Sequence, residues 1–222
     1  MKRIYLLLTA VVCLFAACSP VGTTKLAKYQ TLYDEQPVAV LVMPPINRST
    51  KVEAKMSFYN TLSMPLSNNG YYALPPFISM QVMQDQSAYD SELLIDKSMK
   101  VLDKALGADA VLFTIVHEWK KLSVANSIEI KIEYILKSTK TDEILYERMG
   151  VVTFRSSSNS GSILADLAVN ILSTALTKEV ELARSCNGYA FSDIPKGKYS
   201  PTHGKDQQEI AAEKEFKIQL SN

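Results

Sequence analysis

Residues 127–136 read SIEIKIEYIL, and this is the stretch that decides the fold class. Ile128, Ile130, Ile132, Tyr134 and Leu136 fall on one side of an extended chain, with Glu129, Lys131, Glu133 and Lys137 on the other. Successive side chains of a strand point to opposite faces, so the alternation predicts a strand with one face on a core and one in water. Polar KSTKTDE (residues 137–143) then turns the chain into the strand-like ILYERMGVVTF (144–154), which makes the pair an antiparallel hairpin.

Upstream, GADAVLFTIVHEWKK predicts a strand over residues 108–119, with Val111, Phe113, Ile115, His117 and Trp119 sharing a face. PVAVLVMPPINRST opens with Val38 to Met43, apolar on both pleat faces and bounded by prolines, as a strand covered on both sides would be. A helix capped by Ser49-Thr50 follows, with Val52, Met56, Tyr59, Leu62 and Leu66 as its inward stripe, bent by Pro65 and stopped by Asn68-Asn69-Gly70. YYALPPF reads as a short strand, and Ser91 to Leu106 as a second helix stopped by Gly107, with Leu94, Val101, Leu102 and Ala105 turned inward. Downstream of the hairpin, apolar residues from Ile163 to Val180 recur at helical spacing, predicting a helix to about Arg184. The order strand, helix, strand, helix, three strands, helix predicts an α/β (α+β) domain, a mixed sheet of about five strands with helices packed on it.

The N-terminus carries a different signal. Lys2 and Arg3 precede an apolar run from Ile4 to Ala17, too short to span a bilayer, and small residues lead to Cys18. Residues 1–17 therefore read as a secretory signal. Phe15-Ala16-Ala17-Cys18 resembles a bacterial lipobox, which implies lipidation at Cys18 and cleavage before it. Each buried CH₂ contributes about 0.8 kcal/mol, so a multiply acylated cysteine anchors a chain without a transmembrane helix. Ser19, where an Asp would mark retention at the inner membrane, implies the outer membrane by resemblance, and the absence of an acidic cluster after Cys18 favours a periplasm-facing protein. Residues 18–36 are expected to be the lipidated N-terminus and a flexible tether with a reach of roughly 20–25 Å, residues 37–185 the α/β domain, and residues 186–222 a tail packing on the domain or on a neighbour.

Composition bounds the function. With 24 Lys+Arg against 23 Asp+Glu the net charge is +1, which gives no electrostatic reason to expect nucleic acid as a partner. With Cys13 in the signal and Cys18 acylated, Cys186 is left without an intramolecular disulfide partner. No metal-ligand spacing, nucleophile elbow or phosphate-binding glycine loop occurs, so no cofactor, metal or catalytic residue is expected. Gly161-Ser162 reads as a helix entrance, and Asp85, Asp90, Glu92 and Asp96 as loop and helix-start charges. Two rivals remain. One is a small-molecule or glycan binder with a pocket lined by Tyr71, Tyr72 and Tyr134; the other is a hydrolase using His117 or His203.

TLSMPLSNNGYYALP (61–75), LGADAVLFTIVHEW (106–119) and PKGKYSPTHGKDQ (195–207) together resemble the lipoprotein family typified by the meningococcal genome-derived antigen lipoprotein. The likeness runs from about Val38 through Asp206. More distantly, the VAVL strand and the GADAVL strand are similar in arrangement to the curli secretion lipoprotein, the penicillin-binding-protein activator lipoprotein and the N-terminal domain of TolB. The resemblance implies a TolB-like fold and a non-catalytic role in an envelope assembly or secretion complex, with envelope proteins or further copies of the chain as partners. It also gives the tail a use: Tyr199, Pro201, His203, Gly204 and Asp206 form a candidate interaction loop whose glycine and proline content favours a defined shape.

Overall fold

The computed structural model describes residues 22–85, 90–122, 127–155 and 175–221. In chain order the elements are α1 (Lys25–Lys28), α2 (Gln30–Glu35), β1 (Ala39–Val42), β2 (Ile46–Asn47), α3 (Ala54–Asn68), β3 (Tyr72–Ala73), α4 (Pro76–Asp85), α5 (Glu92–Ile95), α6 (Lys100–Leu106), β4 (Ala110–Leu122), β5 (Ser127–Ser138), β6 (Ile144–Arg155), α7 (Ala175–Ala190) and β7 (Glu215–Ser221). Among the described residues the strands form one mixed seven-stranded sheet in the order β3-β1-β4-β5-β6-β7, with β2 also pairing β4. The long strands β4, β5 and β6 are antiparallel, and the pairs involving β1, β2, β3 and β7 are parallel. No described helix is long and apolar enough to cross a membrane.

The alternation of β5 holds throughout: Ile128, Ile130, Ile132, Tyr134 and Leu136 are buried in the main core beneath α1, α2, α3 and α7. The doubly apolar β1 is covered on both sides as expected. Val40 and Val42 join the main core, while Leu41 and Met43 face a second core under α4, α5 and α6. That second layer covers only the β1–β4 half of the sheet. Beyond it, Lys131, Glu133, Met149 and Val151 are half-buried on a face without a helical cover among the described residues.

Several expectations are corrected. The inward residues of α3 include Ala54, Phe58, Tyr59, Leu62 and Leu66, so Tyr59, Leu62 and Leu66 are buried as expected, whereas Val52, which precedes the helix start at Ala54, is 80% exposed and Met56 faces water. The helix expected over 91–106 is two helices, since Asp142 from the β5–β6 turn accepts hydrogen bonds from Ser98 Oγ (2.7 Å) and Met99 N (2.6 Å) and starts α6 afresh. Val101 and Ala105 are exposed, Leu94 and Leu102 are buried, and Gly107 ends α6 in the left-handed conformation with φ 62°. Pro75-Pro76 begins α4 rather than only closing a strand, in keeping with proline at a first helical position. A bulge between Val116 and Glu118 turns Trp119 to the main core, where its ring meets Phe58 edge-on at 6.0 Å, so it does not share a face with Ile115.

Both proposed ends of the domain also move. Residues 24–35, assigned by composition to the tether, are folded: Lys25, Tyr29, Leu32 and Tyr33 are buried. The last helix continues past Arg184 to Ala190, and the segment after it packs back on the domain. The part of the expected helix before Ala175 lies outside the described residues.

Two polar features lock the main core. Asn187 on α7 accepts from the Tyr134 hydroxyl (2.7 Å) and donates to Thr61 Oγ1 on α3 (2.8 Å), tying both helices to β5. Arg148 on β6 is 2% exposed and donates to the carbonyls of Tyr189 (3.1 Å), Ala190 (2.9 Å) and Glu213 (3.3 Å). Its guanidinium lies over the rings of Tyr189 and Phe216. A cation at the carbonyl end of a helix is favourable both as a hydrogen-bond donor and against the helix dipole. Gly150, two residues on, lets Phe216 approach: a Cβ there would stand 2.4 Å from the ring.

Candidate functional site

The loop singled out by its glycines and prolines is anchored by backbone groups before any side chain acts. Gly197 N donates to Asn69 O (2.8 Å) and Tyr199 N to Gly70 O (3.0 Å). The close approach requires Gly70, whose φ is 86° and whose missing Cβ would fall 2.3 Å from Ser200 N. Side chains add to this. Lys196 Nζ donates to Asn69 Oδ1 (2.6 Å), and the Tyr71 hydroxyl donates to Pro195 O (2.7 Å). His203 Nδ1 lies 2.7 Å from Lys196 O and must carry the proton, since a carbonyl only accepts.

These contacts divide the five predicted loop residues. Asp206 is buried and accepts from Lys196 N (2.9 Å), and half-buried His203 braces the same turn, so both hold the loop's shape. Tyr199, 69% exposed, is displayed outward with Pro201 and Gly204. The loop therefore docks on its own domain and presents a tyrosine.

The N-terminal segment, not foreseen as part of any site, grips the same tail. Ala211 N donates to Thr23 O (2.9 Å), Lys25 N to Glu209 O (2.8 Å) and Leu26 N to Gln207 O (3.0 Å), and Thr24 forms a β-bridge with Ile210. Buried Lys25 donates to Glu209 Oε2 (2.8 Å) and lies 3.8 Å from Asp206 Oδ2. Further along, the Tyr29 hydroxyl donates to Asp193 Oδ2 (2.6 Å), whose other oxygen accepts from Ala212 N (2.9 Å). Burial, and then the Asp193 carboxylate, push the Tyr29 phenol well above its ordinary value. Lys28 donates to Ala212 O, and burial draws its ammonium down. Residues 22–35 and 193–212 thus form a clamp whose first segment begins four residues after the expected lipid site. Cys18 itself lies outside the described residues.

The rival constellations do not assemble among the described residues. Tyr134 is wholly buried on Asn187, Tyr71 is buried on Pro195, and Tyr72 is exposed, so the three line no common pocket. His117 lies on the sheet face that no described helix covers, with Nε2 2.8 Å from Glu133 Oε2, while His203 bonds a carbonyl, and neither meets a serine, threonine or cysteine among the described residues. Cys186 is buried in α7, and burial pushes its thiol up, away from a reactive thiolate. No group of three or more potential metal ligands occurs among the described residues.

Comparison with known proteins places this clamped α+β domain in a class. The family described as "Putative lipoprotein GNA1162-like" matches residues 27–198, and the chain belongs to that family. It is similar to "Putative lipoprotein NMB1124/NMB1162" of Neisseria meningitidis serogroup B, 26% identical over 183 residues that cover 80% of this chain and 84% of the relative. Among solved structures it is similar to lipoprotein GNA1162 from Neisseria meningitidis, with TM-score 0.49 and 24% identity over 60% of this chain and 96% of that one. It is also similar to the LpoB C-terminal domain from Salmonella enterica, with TM-score 0.40 and 19% identity over 55% of this chain and 93% of that one. The family assignment rests on the matched span 27–198, which takes in the second half of the N-terminal clamp and most of the sheet.

Proposed function

We propose that the chain is acylated at Cys18, held at the outer membrane facing the periplasm, and works as a non-catalytic, protein-binding component of an envelope assembly. The anchoring part is supported by the charged start, the short apolar run and the Phe15-Ala16-Ala17-Cys18 exit in a chain that belongs to a lipoprotein family. Ser19 favours the outer membrane. Replacing Cys18 (Cys18→Ala) is expected to abolish acyl labelling and release the protein from the membrane fraction; retention of both would break the reading.

The observation that supports the protein-binding part is the half of the sheet that no described helix covers. Lys131, Met149, Val151, Glu215 and Lys217 line a shallow trough of about 380 Å³ there, beside the edge strand β7. Mixed apolar and charged residues beside a sheet edge suit a protein surface better than a small molecule. A photo-crosslinking residue at Val151 is expected to capture discrete partners in intact cells, and one at Lys104, on α6, is not. Equal yields at the two positions would overturn the assignment.

A second reading has one observation in its favour. α4, α5, α6 and the sheet surround a half-open cavity of about 160 Å³ lined mainly by apolar side chains such as Met43, Leu94, Leu102 and Phe113, together with Asp85, Lys97 and Ser98, the size of a small-ligand site. Enhanced fluorescence of an anilinonaphthalene sulfonate probe that Leu102→Trp removes would support it, and absence of enhancement would dispose of it.

A further inference from the structure

We infer that the surface around Gly22, Ala27 and residues 208–210 lies directly against the bilayer, so that the domain is seated on the membrane by a short covalent link; this rests on acylation of Cys18. The argument starts from chain length. Four peptide units separate Cys18 from Gly22, which at 3.8 Å per unit reach at most about 15 Å. A folded domain of about 200 residues has a radius of gyration of roughly 16 Å. The headgroup layer of each leaflet occupies about 5–8 Å beyond the hydrocarbon. With its fixed point this close, the domain cannot present an arbitrary side: the face that surrounds Gly22 must be the one turned to the lipid.

The clamp prevents the link from lengthening by unravelling. Thr23, Thr24, Lys25 and Leu26 are each bonded or bridged to residues 207–211, and peeling them away would strip the buried Lys25 ammonium from Glu209 and leave Asp206 buried without it. The surface chemistry fits close approach. Gly22, Thr23, Ala27 and Gln208 are exposed, small or uncharged, and the one carboxylate among them, Glu209, is paired with Lys25. Ile210 packs its Cγ2 against Gly22 and still exposes 43% of its surface, an apolar contact at the point where the link leaves the fold. Uncharged groups cost little to desolvate, and an isoleucine gains on entering the interface.

The test uses full-length acylated protein in phosphatidylethanolamine–phosphatidylglycerol vesicles, with acylation of Cys18 verified by mass spectrometry. A bimane fluorophore is placed at Ile210→Cys or at Leu122→Cys, while buried Cys186 stays unlabelled. Leu122 lies at the end of the sheet where Ser127, Arg155 and Ser221 line up, opposite the β5–β6 turn that Glu35 of α2 contacts. Headgroup-borne nitroxide is expected to quench the label at 210 several-fold more than at 122. Inserting about fifteen Gly/Ser residues between Val21 and Gly22 is expected to remove the difference. Equal quenching in acylated, vesicle-bound protein overturns the seating alone. Difference retained after the insertion overturns the short link as its cause. Absence of the acyl group overturns the anchoring reading and this inference with it.

Discussion

The two sides of the sheet are built on different plans. On one, α3 lies over β1, β2 and β4 and α7 over β6, the two cross-linked to β5 by Tyr134, Asn187 and Thr61 and closed at the end of α7 by Arg148. On the other, α4, α5 and α6 are short, expose Phe77, Met80, Leu93 and Val101, and leave a half-open cavity against the sheet. They are held to the rest at scattered points: the Tyr59 hydroxyl of α3 meets Pro76 O (2.7 Å) and Ser79 Oγ (2.6 Å) on α4, Ser91 Oγ donates to Pro44 O (2.6 Å), Lys137 Nζ donates to Ile95 O (2.8 Å), Asp142 accepts from the start of α6, and Arg48–Glu92 and Lys55–Asp90 pair at the surface. Fully satisfied buried networks rigidify a core, whereas a thin layer with few cross-links opens at low free energy. The fold's stability therefore resides on the α3–α7 side, and its capacity to adapt on the other.

Matched truncations test this division most severely. Phe58→Ala removes a wholly buried ring in contact with Trp119 and is expected to cost about 3–5 kcal/mol in global unfolding by denaturant. Leu94→Ala, beside the existing cavity, is expected to cost about 2 kcal/mol and to act through local opening of α5 and α6, seen as lost hydrogen-exchange protection there. Equal global losses would mean that the two layers unfold as one unit.

The tyrosines of the main layer supply the next test. Tyr29, Tyr71, Tyr134 and Tyr146 are all held above the ordinary tyrosine value of about 10, in each case first by burial. Above that pH the unfolded chain releases phenolic protons that the folded chain keeps. Stability is then fully present below about pH 10 and falls as pH rises beyond it. Tyr29→Phe deletes the bond to Asp193 and is expected to cost about 1–3 kcal/mol at neutral pH while making the alkaline decline shallower. An unaltered alkaline slope would show that Tyr29 is not among the groups responsible.

What the residues disclosed beforehand divides along the same line of reasoning. The hairpin and β1 were legible because burial on one face or on both leaves a distinct pattern in period two. Periodicity has no sign for a bulge, so Trp119 lies on the face opposite to the one the alternation predicts, and Val52 precedes the first turn of α3. The segment 24–35 was mistaken for tether because its composition is polar, although Lys25 is polar and buried, being paired with two carboxylates 181 to 184 residues away. The loop 199–206 was visible in its glycines and prolines, but which of its residues brace it and which are displayed depends on Asn69, Gly70 and Lys196. Nothing in the local pattern marks Arg148 as buried, because its carbonyl partners lie 41 to 65 residues along the chain.

The smallest effect sharpens the comparison most, because it isolates the thin layer. Asp142 sits in the β5–β6 turn with φ 65°, a left-handed conformation that Asp tolerates. From there it accepts from Met99 N and Ser98 Oγ at the start of α6. The bond from the Met99 amide, and then that from Ser98, hold its carboxyl below the ordinary value. Its contribution is therefore present above the usual carboxylate range and lost as pH falls through the lowered folded value. Asp142→Ala is expected to raise hydrogen exchange across Met99–Leu106 and leave Leu182–Ala190 of α7 unchanged. Lowering the pH through the carboxylate range should reproduce the same local loss in the unsubstituted protein. If α7 loses protection in step with α6, the turn supports the whole domain, and the separation of the two layers does not hold.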